Sequence, residues 1–325
     1  MKKAISILLI WILSVFFAEF YSWASANWIY SPVAYFIVIP LYLSHLIFLL
    51  WIAYKYKKIS ISQLYFLWAI FWLYEAWVTK VLWSWYMHES WPGMWTFLWL
   101  SIPEFPVLVF FYHPIMSFIL PILIYQIFTW KAFIEHSKIL EKSKKKNYII
   151  YTFIIIIASF IANWNWFEIL KSNINYLWWL FAVILLYKLN KKKDILNIIL
   201  SKKWLWINII YLFILYIFTF IVFLPERIPT TIIPYISIIL SYIFFVYIFK
   251  KTNESSIDVC DLDKKHYSFK DFIYFSIFLL VMVNIYSIID NLWFVLMVIW
   301  YFSMIILWLL ILYFSLKKLK IKKAE

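Results

Sequence analysis

Apolar residues follow one another in long runs along the chain, and short breaks that carry lysines or turn residues separate these runs. A helix needs about 20 mostly apolar residues to cross a bilayer. The pattern therefore predicts ten spanning helices, at residues 4–24, 31–54, 62–84, 114–130, 148–167, 174–189, 204–224, 230–249, 271–289 and 292–316. The predicted fold class is all-α, a polytopic transmembrane helix bundle.

One further apolar run, residues 94–111, contains Pro103, Glu104 and Pro106 near its middle. Each proline removes a backbone donor and disfavours helix at the preceding residue. Broken backbone at membrane depth is tolerated only where protein buries it or where it lines a watery cavity. The run is therefore predicted to be a re-entrant segment on the outer side, with an amphipathic helix lying along the outer interface as the alternative.

The basic residues indicate the orientation of the spans, because loops that carry lysine remain on the cytoplasmic side of a membrane. With both termini cytoplasmic, 27 of the 30 basic residues fall in cytoplasmic breaks or tails, and only Lys80, Lys171 and Arg227 do not. The sequence therefore predicts a multi-pass protein of the cell membrane with the N-terminus and the C-terminus in the cytoplasm. Because this distribution accounts for the net charge of +14, we expect no nucleic-acid partner.

The first predicted helix resembles a secretory signal peptide in part, since Lys2 and Lys3 precede an apolar run and small residues at 24–26 follow it. Glu19 and several aromatic residues separate the apolar run from the small residues. We therefore favour an uncleaved first helix, with removal of residues 1–26 as the alternative.

The composition excludes several classes of protein. Apolar residues make up 66% of the chain and charged residues 14%, against about 45–50% and about 25% in soluble domains, so a soluble fold is excluded. The single glycine, Gly93, excludes the glycine-rich loops that hold nucleotides. The single cysteine, Cys260, excludes a disulfide framework. No histidine spacing matches a zinc motif, so we predict no metal site, and the sequence leaves the identity of any cofactor open.

The polar residues predict two membrane halves with different roles. Residues 1–146, with four spans and the segment 94–111, carry ionisable residues within the apolar layer and are predicted to hold the functional site. Residues 147–325, with six spans, carry their ionisable residues at the ends of spans and are predicted to be a scaffold. Asn284 is expected to mark the last outer turn of this second half.

Glu75 lies well inside the predicted span 62–84. A carboxylate near the bilayer centre costs about 2.5–3.5 kcal/mol on insertion scales, and such residues commonly have a function. We expect an externally open cavity in which Glu75, Glu104 and His113 are the catalytic acid–base groups, with Lys80 and His88 as ligand-binding residues. The alternative for Glu75 is a structural carboxylate that a neighbouring helix neutralises.

Several of the 22 tryptophans lie close to these residues in the sequence. Trp72 and Trp77 are too deep for an interfacial belt, and Trp95 and Trp99 follow one another at helical spacing. They are predicted to line a cavity whose aromatic wall suits a lipid, an isoprenoid, a sugar-like ligand or a quaternary ammonium head. The alternative for Trp72 and Trp77 is that they pack within the helix bundle. His45 is predicted to be a hydrogen-bonded residue of the bundle rather than a haem ligand.

Three functions fit this pattern. The first is a transporter or permease for a small or amphipathic solute, since broken segments and midplane carboxylates are typical of such proteins. The second is a membrane-embedded enzyme that acts from the outer face on a lipid or lipid-linked substrate, with Glu104 or Glu75 as acid or base and His113 as partner. The third is a non-catalytic subunit of a membrane complex.

The predicted topology is tested by cysteine labelling of intact cells in a Cys260→Ser background. A membrane-impermeant maleimide should not reach Lys144→Cys until the cells are permeabilised, because this residue lies in a lysine-rich cytoplasmic break. Glu89→Cys, in a predicted outer turn, is the positive control. Labelling of Lys144→Cys from outside contradicts the predicted orientation.

Overall fold

The structure is a computed structural model of the 325-residue chain. It describes residues 2–21, 34–78, 96–97, 100–101, 106–141, 168–190, 194–223, 225–263, 266–288, 303, 306–307 and 309–319. Most of these residues are helical, as the apolar pattern predicts. No side-chain position is described for a few of them, among them Trp72 and Glu75.

The first part of the described chain contains five α-helices and three short strands, and some helices begin or end in π-helical turns. In order these elements are α1 (Lys2–Val15) with a π-helical turn (Phe16–Tyr21), a π-helical turn (Ala34–Val38) leading into α2 (Ile39–Lys55), α3 (Ile61–Trp77), β1 (Thr96–Phe97), β2 (Leu100–Ser101), a π-helical segment (Pro106–Ile119) leading into α4 (Leu120–Thr129), β3 (Lys131–Phe133) and α5 (Ile134–Leu140).

The later part of the described chain is simpler, with regular helices of 19–21 residues. In order its elements are α6 (Ile169–Leu189), a 3₁₀ turn (Ile195–Ile198), α7 (Lys202–Val222), a 3₁₀ turn (Pro225–Arg227), α8 (Ile233–Lys251), β4 (Val259–Asp261) and α9 (Phe269–Ile288). Residues 309–318 are also helical.

Seven helices among the described residues are long and apolar enough to cross a bilayer: Lys3–Tyr21, Tyr35–Lys55, Val109–Thr129, Ile169–Leu189, Lys202–Val222, Ile233–Lys251 and Phe269–Ile288. They coincide with seven predicted spans and confirm the all-α membrane fold. The predicted span 62–84 begins as α3. The span 148–167 lies outside the described residues and 292–316 is described only in part, so the total of ten stays a prediction.

The span that contains α4 begins earlier than its sequence predicts. We expected it to begin at His113–Pro114, but the helix begins at Pro106, and Pro114 lies inside it. The strands β1 and β2 form an antiparallel pair within the apolar run 94–111. Pro103 and Glu104 lie outside the described residues, and re-entry of this run into the membrane stays a prediction.

Two prolines lie in this span, and each lacks the N–H of an ordinary helical hydrogen bond. Pro114 lies in the π-helical segment, in which the Tyr65 hydroxyl of α3 donates to the carbonyl of Phe110 at 2.6 Å. Pro121 leaves the carbonyl of Ser117 without its α-helical donor, and this carbonyl accepts from the Ser14 hydroxyl of α1 at 2.5 Å. Hydroxyls from other helices thus bond backbone carbonyls near both prolines.

The chain divides into two compact units. Unit 1 consists of Met1–Leu46, Met116–Ile199 and Ser256–Ser303, and unit 2 of Ile47–Ile115, Leu200–Ser255 and Met304–Glu325. Each unit therefore takes segments from both predicted halves of the sequence. The predicted boundary between residues 146 and 147 lies outside the described residues, and the roles of the two halves stay predictions.

In unit 1, α1 and α6 run in opposite directions. Near the start of α1, the Ser6 hydroxyl donates to Asn190 Oδ1 at 2.8 Å, just past the end of α6. Further along α1, the rings of Phe16 and Tyr176 lie 5.3 Å apart between centroids. The lysine-bearing ends of the two helices therefore lie together, as the predicted alternation of spans requires. The side of the membrane that this end faces stays a prediction.

The strands β3 and β4 join two lysine-rich breaks that we predict to be cytoplasmic. They pair antiparallel, with Ala132 opposite Cys260. The N–H of Leu262 donates to the carbonyl of Trp130 at 3.0 Å and extends the pairing. Since paired strands lie on one side of a membrane, this pairing agrees with the placement of both breaks in the same compartment.

In unit 2, a polar cluster fixes the start of α3 against the end of α8. Ser60 and Gln63 form a capping box that satisfies free N–H groups of the first turn. The Gln63 amide also donates to the carbonyl of Asn253 at 2.6 Å. The buried Lys58 donates to the carbonyl of Thr252. These bonds hold the start of α3 and the end of α8 together.

Removal of the Tyr65 hydroxyl should destabilise the protein, because α3 then loses its hydrogen bond to the Phe110 carbonyl of the neighbouring span. We expect Tyr65→Phe to lower the free energy of unfolding by about 1 kcal/mol, as for other hydrogen bonds between membrane helices. Tyr247→Phe is the matched control, since the Tyr247 side chain on α8 is exposed. The measurement is the melting temperature in detergent.

Candidate functional site

The structure describes only part of the predicted site. Glu75 and Trp72 lie on α3, and His113 lies in the π-helical segment before α4. The other predicted site residues, Lys80, His88, Trp95, Trp99 and Glu104, lie outside the described residues. The gathering of these side chains in one outward-facing cavity therefore stays a prediction.

Trp77 makes contacts within unit 2 that fix its position. Its indole N–H donates to the hydroxyl of Tyr242 on α8 at 2.9 Å. Its ring lies edge-on to Tyr216 on α7, with centroids 5.9 Å apart, and 6.4 Å from Phe220. Trp68, nine residues earlier on α3, is completely buried. These contacts favour the packing interpretation for Trp77, while its role as a ligand-binding residue stays a prediction.

His113 is buried inside the span, at the residue before Pro114. The backbone around it is π-helical from Pro106 to Ile119. π-helical turns are rare and occur frequently at functional sites. The sequence placed His113 at the outer start of a span, whereas the structure places it within the helix, one turn beyond the carbonyl that Tyr65 satisfies.

His45 on α2 agrees with its predicted role in the bundle. Its side chain is buried, and its Nδ1–H donates to the carbonyl of Leu41 at 2.7 Å, one turn earlier on the same helix. This bond satisfies one ring nitrogen within the helix itself. The interpretation of His45 as a hydrogen-bonded residue of the bundle is confirmed.

Glu19 is a buried carboxylate within the first span. The sequence indicates that it closes this span, but the helix continues as a π-helical turn to Tyr21, so Glu19 lies inside it. Its side chain is 7% exposed. The hydroxyl of Tyr42 on α2 donates to Glu19 Oε1. A hydrogen bond of this kind is required because an unsolvated polar group is costly in an apolar layer.

Glu19 was not among the predicted site residues, although one feature of the sequence distinguishes it. It is the only acidic residue before Glu75 in the chain. We interpreted it as closing the first span on the outer side, where a carboxylate needs no partner. Its burial follows from the π-helical continuation of α1 and from its hydrogen bond with Tyr42 of α2, which the apolar pattern does not show.

Uncharged polar residues between α6 and α9 of unit 1 are a second feature that the sequence analysis missed. Asn173 and Asn284 exchange two amide hydrogen bonds, of 2.7 and 3.0 Å. The Tyr176 hydroxyl donates to the carbonyl of Ser276 at 2.9 Å. The expectation that Asn284 marks an outer turn was wrong, because it lies within α9 and bonds the neighbouring helix. Such bonds hold membrane helices together.

Metal ligands do not cluster in the part of the chain that the structure describes. No group of three or more histidine, cysteine, aspartate or glutamate side chains there is arranged to hold a metal ion. Glu19 and His113, a buried carboxylate and a buried imidazole on π-helical backbone, are candidates for proton exchange or ligand contact.

Two substitutions separate the hydrogen-bonding role of Glu19 from its charge. Glu19→Gln keeps an oxygen that accepts from Tyr42, so we expect a melting temperature close to that of the wild type. Glu19→Leu leaves the buried Tyr42 hydroxyl without this acceptor and should cost about 1–3 kcal/mol of stability. Glu168→Gln, at an exposed carboxylate, is the control. Equal melting temperatures for the Gln and Leu variants contradict a structural role for this bond.

Comparison with known proteins identifies the family. Residues 8–321 match a family described as an uncharacterized membrane protein family. The chain is also similar to a protein of Archaeoglobus fulgidus, described as an uncharacterized protein, with 36% identity over 122 residues. That similarity covers 38% of this chain and 38% of the Archaeoglobus protein. No solved structure matches significantly. Because the family match extends over nearly the whole chain, this multi-pass protein belongs to that membrane protein family.

Proposed function

We propose that the protein is a transporter or permease for a small or amphipathic solute, with an outward-facing cavity near Glu75 and Glu104. The observation that carries the proposal is the position of Glu19 and His113. Both are buried ionisable residues within spans, and both lie on π-helical backbone. Ionisable residues at such depth mark substrate, ion or proton pathways in membrane proteins.

The interrupted span of α4 supports the proposal. Transporters bind their substrates at discontinuous helices, whose free backbone groups and termini contact the solute. Here Pro114 and Pro121 lie in the span, and the hydroxyls of Tyr65 and Ser14 bond two of its backbone carbonyls. A hydroxyl can rotate to another acceptor, so these hydrogen bonds break and form again more easily than the backbone hydrogen bonds of a continuous helix.

The aromatic residues around the proposed cavity indicate the class of solute. Trp72 and Trp77 on α3, with Trp95 and Trp99, offer ring surfaces that suit a lipid, an isoprenoid or a sugar-like molecule. Glu75 and Glu104 supply negative charge, while Lys80 and His88 contact the polar part of the solute. A predominantly apolar pocket with a few placed polar groups is the usual form of a ligand site.

The proposal is tested in two steps with the full-length protein. A thermal-shift screen against lipids, polyprenyl phosphates, sugars and ions identifies the class that binds, since a ligand at 100 times its dissociation constant adds about 2.7 kcal/mol of stability. Each compound that binds is then offered to proteoliposomes, where we expect uptake that empty liposomes lack. Binding without uptake overturns the transporter proposal, and chemical conversion of a lipid-linked compound favours the enzyme instead.

Glu75→Gln tests the role of the central carboxylate. If Glu75 acts in transport, this variant should keep the wild-type melting temperature and lose uptake at least about tenfold, because the shape remains and the charge is gone. If Glu75 forms a buried ion pair that only holds the fold, the variant should lose about 3–5 kcal/mol of stability. Glu226→Gln, at an exposed turn, is the control. Wild-type stability and wild-type uptake together contradict both roles.

A further inference from the structure

Five lysines lie at one end of unit 2, around the turn between α2 and α3 and at the end of α8: Lys55, Lys57, Lys58, Lys250 and Lys251. Two contacts bring these segments together. The Ser255 N–H donates to the carbonyl of Lys57 at 2.6 Å, and Lys57 Nζ lies 3.4 Å from Glu254 Oε2. The five lysines therefore form one basic region, the lysine cluster, which contains no residue of the proposed transport site.

The described residues neutralise only part of the charge of the lysine cluster. Lys57 pairs with Glu254, and the buried Lys58 donates to a backbone carbonyl. The other three lysines are exposed, and among the described residues no carboxylate lies within ion-pair distance of them: Lys55, Lys250 and Lys251. Three ammonium groups are therefore available to an anion at this end of unit 2.

Aromatic rings hold two of these three ammonium groups in place. Lys55 Nζ lies 4.8 Å from the centre of the Trp51 ring and 5.7 Å from the centre of the Tyr56 ring. Lys251 Nζ lies 5.7 Å from the centre of the Tyr247 ring. A ring face attracts a cation but carries no net charge. Both ammonium groups are thus positioned by the rings and keep their full charge for an anion.

The exposed face of α8 leads directly to Lys250 and Lys251. Large apolar side chains are exposed along this face at helical spacing: Ile239, Leu240, Ile243, Phe244 and Tyr247. From Ile239 to Lys251 the helix rises about 18 Å, at about 1.5 Å per residue. Half of the hydrocarbon core of a bilayer is about 15 Å thick. The apolar face is therefore long enough for the acyl chain of a lipid whose headgroup lies at the two lysines.

We propose that the end of α8, together with the lysine cluster, binds an anionic phospholipid. Its phosphate contacts Lys250 and Lys251, its acyl chain lies along the apolar face of α8, and Lys55 adds positive charge from the neighbouring turn. Lysines next to a span attract anionic lipids. A free phosphate would use the ammonium groups alone, whereas a phospholipid also covers the exposed apolar side chains. The combination of the two surfaces therefore favours a lipid over a soluble anion.

Native mass spectrometry of the full-length protein in detergent tests the selectivity of this site. The protein is titrated separately with phosphatidylglycerol and with phosphatidylcholine that carry identical acyl chains. We expect phosphatidylglycerol to bind at least about tenfold more tightly, because it carries a net negative charge and phosphatidylcholine does not. Equal affinities overturn the proposal. Binding is measured here without transport, so failure of this site leaves the proposed transport function standing, and the reverse also holds.

Two double variants locate the site. Lys250→Gln combined with Lys251→Gln removes two exposed charges, so we expect the affinity for phosphatidylglycerol to fall at least about tenfold. Lys202→Gln combined with Lys203→Gln is the matched control, since these lysines are also consecutive, exposed and at the end of a span of unit 2. The control should bind phosphatidylglycerol as the wild type does. Equal losses in the two double variants show attraction by the general surface charge and overturn the proposal.

A competition experiment distinguishes a lipid from a free phosphate. Glycerol phosphate carries the charged group of the lipid without the acyl chains, and it is added in excess to the complex with phosphatidylglycerol. We expect it to leave the lipid bound, because it cannot cover the apolar face of α8. Displacement at concentrations similar to those of the lipid shows that the ammonium groups alone recognise a phosphate, and it overturns the assignment of this face to a lipid.

Discussion

In a bilayer every buried backbone N–H and C=O must find its partner within the protein, and this requirement governs the rest of the structure. Regular helices such as α6 to α9 meet it with their own hydrogen bonds. In the span of α4, Pro114 and Pro121 each lack the N–H that such bonds require. The hydroxyls of Tyr65 and Ser14 donate to backbone carbonyls of this span, so it takes part of its hydrogen bonding from neighbouring helices.

The near absence of glycine adds a second constraint on how the helices pack. Membrane helices approach closely where small residues line their interface, and this chain has a single glycine. In unit 1 aromatic rings fill the interfaces instead. Tyr187 stacks on Phe269 with centroids 3.9 Å apart, and Phe20 stacks on Trp179 at 5.0 Å. Large rings that interlock in this way resist sliding of one helix along another.

The candidate site follows from the same two constraints. Glu19 and His113 lie where the helical ladder is irregular, and Glu19 bonds Tyr42 of a second helix. A polar side chain on a regular span, by contrast, serves to join helices, as the amide pair of Asn173 and Asn284 does. Glu19 and His113 therefore lie on irregular backbone, while the amides of Asn173 and Asn284 connect two regular spans.

The sequence by itself determined the membrane fold and the limits of most spans, because the thickness of the bilayer imposes a length of apolar chain that any window of residues reveals. It also identified His45 as a residue of the bundle. Only the tertiary structure decided that the span of α4 begins at Pro106, that Glu19 is buried against Tyr42, and that Asn284 bonds another helix. Hydropathy reports which residues enter the apolar layer. The partner that satisfies each polar group comes from a helix distant in the sequence, and only the packed fold brings the two together.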